Sequence, residues 1–182
     1  MDLGLKGRAA IVTGSSQGIG KAIALGLSQE GTKVTICARN EKQLNKTTKE
    51  IESATGVKVY AVQADLTKED DIRRLVAKTS KRFGRIDILV NNTGGPPSTT
   101  FLETSVEHWR KAVNLLLTSV VTACSEVIPH MQKQRWGRII NMTSIAAKQP
   151  AERLVLSNTL RAGILGLTKT LSNELAENSI LV

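Results

Sequence analysis

This sequence predicts an α/β fold built on a doubly wound parallel sheet, and three observations carry that prediction. Short β-rich runs alternate with helical patterns five times between Arg8 and Ala176. The first run, Ala9-Ala-Ile-Val12, breaks into a turn bearing Gly14, Gly18 and Gly20 just before a helix begins. No repeat, low-complexity segment or linker interrupts the order, and 182 residues suit a single domain. Parallel strands need crossover helices, which then cover both faces of the sheet.

Each element has its own signal. The first helix opens at about Gly18 and runs to Gln29. Lys33–Ala38 is a β-rich run, and Asn40–Ala54 is a charged helix. Val57–Gln63 alternates in the manner of a strand, while Lys68–Phe83 sets Ile72, Leu75, Val76 and Thr79 at helical spacing. Ile86–Val90 reads as a strand, Glu103–Gln134 as one long helical stretch, Arg138–Met142 as a strand and Arg153–Ala176 as a last helix. The long stretch carries a band of apolar side chains wider than one sheet-facing stripe needs. The last helix is apolar nearly all round, with small residues at Ala162, Gly163 and Gly166. A homo-oligomer formed through the 104–134 and 153–176 helices is the simplest use of these second faces.

Composition narrows the function classes. Apolar residues make up 41% and charged residues 23%, ordinary for a soluble domain. Cys37 and Cys124 lack the spacing of a disulfide or metal site, so a reducing, cytoplasmic setting and no metal are expected. The start has no secretory pattern, and no uninterrupted apolar run is long enough to span a membrane, so no membrane partner is expected. A net charge of +9 would suit an anionic partner, but the basic residues are scattered among acidic ones and aromatics are only 3%. Solvated helix faces explain that pattern, and no nucleic-acid partner is expected.

The glycine turn is the chemical centre of the chain. Glycines permit positive φ and close backbone approach, and a helix opening there aims unpaired N–H groups and a positive dipole end at a ligand. A dinucleotide pyrophosphate is the natural occupant. The spacing G-x-x-x-G-x-G differs from the commoner G-x-G-x-x-G fingerprint, and a plain strand-to-helix turn is the alternative. In an open α/β sheet, ligands bind beyond the carboxyl ends of the strands, which is where this turn lies.

Four further motifs stand in order with that turn: Asp65-Leu66, Leu89-Val-Asn-Asn-Thr-Gly-Gly95, Asn114, and Asn141-Met-Thr-Ser144. Together they resemble the short-chain dehydrogenase/reductase family from about Leu5 to the last residue, and most nearly its beta-ketoacyl-carrier-protein reductase type. The resemblance implies a Rossmann-type fold. It also implies that Gly14, Ser15, Gln17, Gly18, Ile19 and Gly20 wrap the pyrophosphate and ribose, that Asp65 and Leu66 contact the adenine, and that Asn91, Asn92 and Gly94 line the floor beside the cofactor ribose. Asp65 could also cap the helix that begins near Lys68, a role that does not exclude the first. Thr93 stands where the family usually has alanine.

Cofactor choice follows from charge. Relatives that prefer NAD carry a carboxylate at the position of Ala38, where it repels a 2′-phosphate. Here Arg39 offers a planar cationic fork instead, so NADP(H) is expected over NAD, although Gln17 replaces a second basic residue common in the glycine loop of NADP-preferring relatives.

The catalytic pattern departs from the family. The resemblance implies a tyrosine thirteen residues after Ser144 and a lysine four further on. Those positions hold Ser157 and Arg161, and the only tyrosine is Tyr60. The expected catalytic set is therefore Asn114, Ser144, Ser157 and Arg161, acting on a small carbonyl or alcohol substrate by a non-standard route. A bland reading stands beside it, in which Ser144 caps a loop, Asn114 is a satisfied helix amide, and Ser157 with Asn158 caps the following helix. The chain would then be a non-catalytic dinucleotide-binding subunit or a redox-responsive regulator. Family members usually continue for about a third more chain, so residues 1–182 are expected to be one domain incomplete at its C-terminus, stopping where a sixth strand should begin.

Overall fold

The computed structural model describes residues 2–182. Six parallel strands, β1 (Ala9–Val12), β2 (Lys33–Ala38), β3 (Tyr60–Gln63), β4 (Ile88–Asn91), β5 (Gly137–Asn141) and β6 (Ile180–Leu181), lie in the order β3-β2-β1-β4-β5-β6. The order reverses between β1 and β4, where Ala10 pairs with Ile88 and Val12 with Val90. Crevices form at such a switch point because the flanking connections leave in opposite directions. Residues 179–182, expected to stop short of a sixth strand, do form a two-residue one, so the C-terminal strands are not all missing. Ile180 and Leu181 pair with Gly137 and Arg138 of β5.

The described residues also form six α-helices, α1 (Gly18–Gln29), α2 (Glu41–Thr55), α3 (Glu69–Phe83), α4 (Val106–Val113), α5 (Ser119–Gln134) and α6 (Val155–Leu175), of which α4 packs on α6, with Ala112 beside Leu156 and Leu160. On one face of the sheet Ala24 of α1 with Leu44 and Ile51 of α2 packs on Ala10, Val12, Val34 and Ile36. On the other, α3, α5 and α6 contribute Leu75, Val127 and Ile164 against Ile11, Leu89 and Ile139. Successive strand side chains point to opposite faces, so each apolar run serves both layers.

Two boundaries depart from the sequence reading. Val57–Gln63 is strand only from Tyr60, because Gly56 ends α2 in the left-handed region (φ 70°) and the N–H of Val59 turns back to the Glu52 carboxylate at 3.0 Å. The long 103–134 helix begins at Val106, where Ser105 caps it by accepting from the His108 N–H, and it loosens into a π turn over Asn114–Thr118. Counted across that turn, Val106–Gln134 is long and apolar enough to cross a membrane, with a mean hydropathy of 1.5 over its most apolar stretch. Its Ala123, Cys124, Val127 and Met131 are instead enclosed in the protein core.

Candidate active site

The glycine turn leaves the buried end of β1 and is held from three sides. Ser15 is fully buried and stitches β1 to β2: its Oγ donates to the Val12 carbonyl at 2.6 Å and accepts from the Cys37 N–H at 3.0 Å. Asn92, at the exit of β4, donates from Nδ2 to the Thr13 and Gly14 carbonyls at 3.2 and 3.0 Å. From α2, Thr47 Oγ1 and Gln43 Nε2 both donate to the Ser16 carbonyl, at 2.6 and 3.2 Å.

The glycines divide by role. A side chain on Gly14 would meet the Asn92 carbonyl oxygen at 2.6 Å, and one on Gly20 would meet the Gly14 carbonyl oxygen at 2.5 Å. Both are forced by close backbone packing. Gly18 has φ +56° and open space around it, so there the turn needs the left-handed backbone itself. Helix α1 starts at this point with no side-chain cap and no acidic residue in its first turn. Its leading N–H groups and positive dipole end therefore face the opening without a protein counter-charge.

That opening is a cleft of about 680 Å³ across the switch point. Gly14, Gln17, Gly18 and Ile19 line it from the first turn, Arg39 from the exit of β2, Asp65 and Leu66 from the exit of β3, and Asn92 and Gly94 from the exit of β4. Of the residues singled out in the sequence, the catalytic candidates Asn114, Ser144, Ser157 and Arg161 do not line it, and neither do three of the cofactor set. Ser15, Gly20 and Asn91 lie behind the wall, and Asn91 donates to Asn141 Oδ1 at 2.8 Å, tying β4 to β5. Thr93 and Gly95 of the β4 exit motif line the cleft as well, and so do Gln43 and Leu115, which were not named from sequence. Thr47 behind Gln43 had a readable signal, since it shares the buried stripe of α2 with Leu44 and Ile51 yet is polar.

Asp65 is not a helix cap. Lys68 occupies the cap position of α3, and Asp65 Oδ1 accepts from the N–H and Oγ1 of Thr67 at 3.0 and 2.8 Å, closing a tight turn before the helix. Its remaining exposure is toward the cleft it lines.

The four catalytic candidates come from elements that pack together. The π turn that begins at Asn114 packs on α6, as does the 3-10 turn Ile145–Ala147 that follows Ser144. Asn114 Nδ2 donates to the Thr67 carbonyl at 2.8 Å, and Ser144 Oγ accepts from the Ala146 N–H at 3.2 Å. Ser157 and Asn158 do not cap α6, which already begins at Val155; both sit in its first turn. Asn158 holds the preceding loop through the Ala151 backbone at 2.9 and 3.3 Å. Ser157 is buried, at 6% exposure. Arg161, one turn along, donates from Nη1 to the Met142 carbonyl at 3.0 Å, and Met142 in turn donates its N–H to Asn91. The guanidinium thus stands at the exits of β4 and β5, and burial lowers its proton affinity from the ordinary arginine value.

A glycine-lined crevice at a switch point, closed by Asn92 and reached by the π turn of this cluster through Leu115, is the setting that the first motifs imply. The sequence profile of the short chain dehydrogenase family matches residues 8–182. The chain belongs to that family. A 3-oxoacyl-acyl-carrier-protein reductase from Synechocystis is 38% identical over 179 residues, spanning 98% of this chain and 72% of the relative. Among solved structures, L-sorbose reductase from Gluconobacter frateurii complexed with NADPH and L-sorbose superposes with a TM-score of 0.95 at 33% identity, over 99% of this chain and 68% of that one. An actinorhodin polyketide ketoreductase with NADPH gives 0.92 at 36% identity, over 96% of this chain and 67% of that one. These relatives are oxidoreductases.

Proposed function

We propose that this chain is an NADP(H)-dependent oxidoreductase that reduces a ketone or oxidises a secondary alcohol. The observation that carries the reading is the cleft itself: an uncapped helix start and open glycine at the switch point, Arg39 on its wall, and Leu115 of the π turn that begins at Asn114 and packs on α6. The residues present fit a dinucleotide. The Gly14–Gly20 turn leaves room for a pyrophosphate that any larger residue at Gly14 or Gly20 would remove by displacing the backbone. Arg39 is exposed on the cleft wall with no carboxylate within 4.0 Å, free to take a 2′-phosphate.

When bound, the reduced nicotinamide would supply the hydride. This chain's own residues would orient the carbonyl and meet the charge that develops on its oxygen. Ser144 has a hydroxyl proton left to donate, because its Oγ acts as an acceptor toward Ala146. Arg161 brings a fixed positive charge and further N–H donors to the developing alkoxide. Ser157 is too weak an acid to replace a phenol near neutral pH. The proton would come from water, or from a side chain such as Lys148, which is exposed at the end of the 3-10 turn.

A second reading, a cofactor-binding subunit or redox-responsive regulator without turnover, draws its support from Ser157 in place of the tyrosine. Fluorescence titration with NADPH and NADH, followed by NADPH consumption against keto-esters, quinones and keto-sugars, separates the two. The first reading expects tighter binding of NADPH, a preference lost in Arg39→Ala, and turnover that Arg161→Met abolishes while the fold survives. Binding without any turnover favours the second.

Two further features support a cytoplasmic assembly of identical chains. Both cysteines are free and buried. Val106 and Val121 on α4 and α5 stay exposed, as do Ala162, Gly163 and Gly166 on α6.

A further inference from the structure

Among the described residues, the half-buried cations are, with two exceptions, matched by carboxylates. Arg8 and Arg85 share Asp87, and Lys21 meets Glu50. The exceptions are Arg138 and Arg161. Arg138 donates to the Gly137 and Ser179 carbonyls and lies 4.3 Å from the centre of the Trp136 ring, so its surroundings account for it. Arg161 has one protein acceptor, the Met142 carbonyl, for its five N–H donors. A guanidinium taken from water without a counter-ion is unfavourable unless an anion completes it. Neither Arg161 nor Met142 lines the cleft, but Met142 follows Asn141, the β5 partner of Asn91, and donates its N–H to the Asn91 carbonyl, one residue from the Asn92–Gly95 wall.

We infer that Arg161 is a clamp for the carboxylate of a 2-oxo acid, which makes 2-oxo acids the substrate class of this site. The inference rests on the oxidoreductase reading above. A 2-oxo acid presents one carboxylate oxygen and the adjacent ketone oxygen side by side in one plane, a spacing that two N–H groups of a planar guanidinium match. The same fork that binds the acid then polarises the carbonyl. In the reaction, hydride passes from NADPH to the ketone carbon, the C=O π pair moves to oxygen, and the alkoxide takes a proton from water. NADP⁺ and a 2-hydroxy acid result. The carboxylate keeps its charge throughout and supplies the counter-ion that the protein lacks.

The test compares 2-oxo acids of graded size with their methyl esters, in the full chain, by NADPH consumption and by calorimetric titration of each acid and ester into the NADPH-loaded protein. The clamp predicts kcat/KM at least thirtyfold higher for the acids and calorimetric binding of the acids alone. It also predicts that Arg161→Lys, which keeps the charge but loses the fork, cuts this discrimination at least tenfold through KM, with circular dichroism showing an unchanged fold. Esters reduced as well as acids overturn the clamp and leave the oxidoreductase reading standing. Acids that bind without any turnover, while esters do not bind, retain the clamp as a binding site and overturn the oxidoreductase reading. Failure of the acids to bind NADPH-loaded protein overturns the clamp.

Discussion

Single residues set the sharpest limits on this site. Gly20 is closed on by the Gly14 carbonyl, so Gly20→Ala must push the turn apart, at about 1–3 kcal/mol of stability. A fluorescence titration of that variant should show NADPH affinity reduced at least tenfold. Gly18 has open space, so its alanine variant meets only the positive-φ penalty of about 1 kcal/mol. Asp87 is the structural counterpart, a carboxylate with no solvent exposure at the start of β4. Burial pushes its carboxyl upward, but hydrogen bonds from Arg85, the Ala9 N–H and Arg8 outweigh burial and hold it below the usual range. A depressed folded-state pKa stabilises fully above the unfolded value of about 3.9 and is lost as pH falls through the lower folded value. Denaturation followed from pH 6 to pH 2 should therefore show that loss beginning near pH 4. Asp87→Asn should remove this acid limb and cost about 1–3 kcal/mol at neutral pH, because it weakens the hydrogen bonds of two arginines that keep partial contact with water.

Elements decide how firmly the turn is held. Helix α2 reaches it through Thr47 and Gln43, which share the Ser16 carbonyl. Thr47→Val keeps the shape and removes one bond of about 1 kcal/mol. NADPH affinity should fall about fivefold with the melting temperature lowered by only about 2–4 °C; an unchanged affinity would show that α2 does not position the turn. Most of these elements were legible in the sequence because their signals are local. Lys33–Ala38 is a strand over the same residues, and the spacing of Ile72, Leu75, Val76 and Thr79 marks the buried face of α3 as observed. What was not legible depends on partners distant in the chain. The π turn at Asn114 interrupts a perfect helical pattern, and its Thr67 partner lies 47 positions away. Of the capping alternatives, Ser144 does cap its turn through the Ala146 N–H, whereas Asp65, Ser157 and Asn158 cap no helix, since residue type marks a turn but neighbouring backbone decides which group it bonds.

At the scale of the molecule, the sheet order places everything that the chemistry needs at one end. The turn after β1, Arg39 after β2, Asp65 after β3, Asn92 after β4 and the Ser144 turn after β5 all leave by the carboxyl ends of parallel strands. Gly14, Gln17, Asn92 and Arg39 could be read as one site because that rule converts linear order into position. The setting of Arg161 could not, because its lack of a carboxylate is a property of the packed chain. Assembly belongs to the same scale. Light scattering on purified protein should report a dimer or tetramer, and Val121→Glu, which charges the exposed side of α5, should shift it toward monomer without unfolding. The most direct measurement of all is a turnover with NADPH carrying deuterium at the transferred position, with the product read by mass spectrometry. The oxidoreductase account predicts deuterium on the carbinol carbon of a secondary alcohol product, lost in Arg161→Met; tight NADPH binding with no deuterated product from any carbonyl substrate would contradict it.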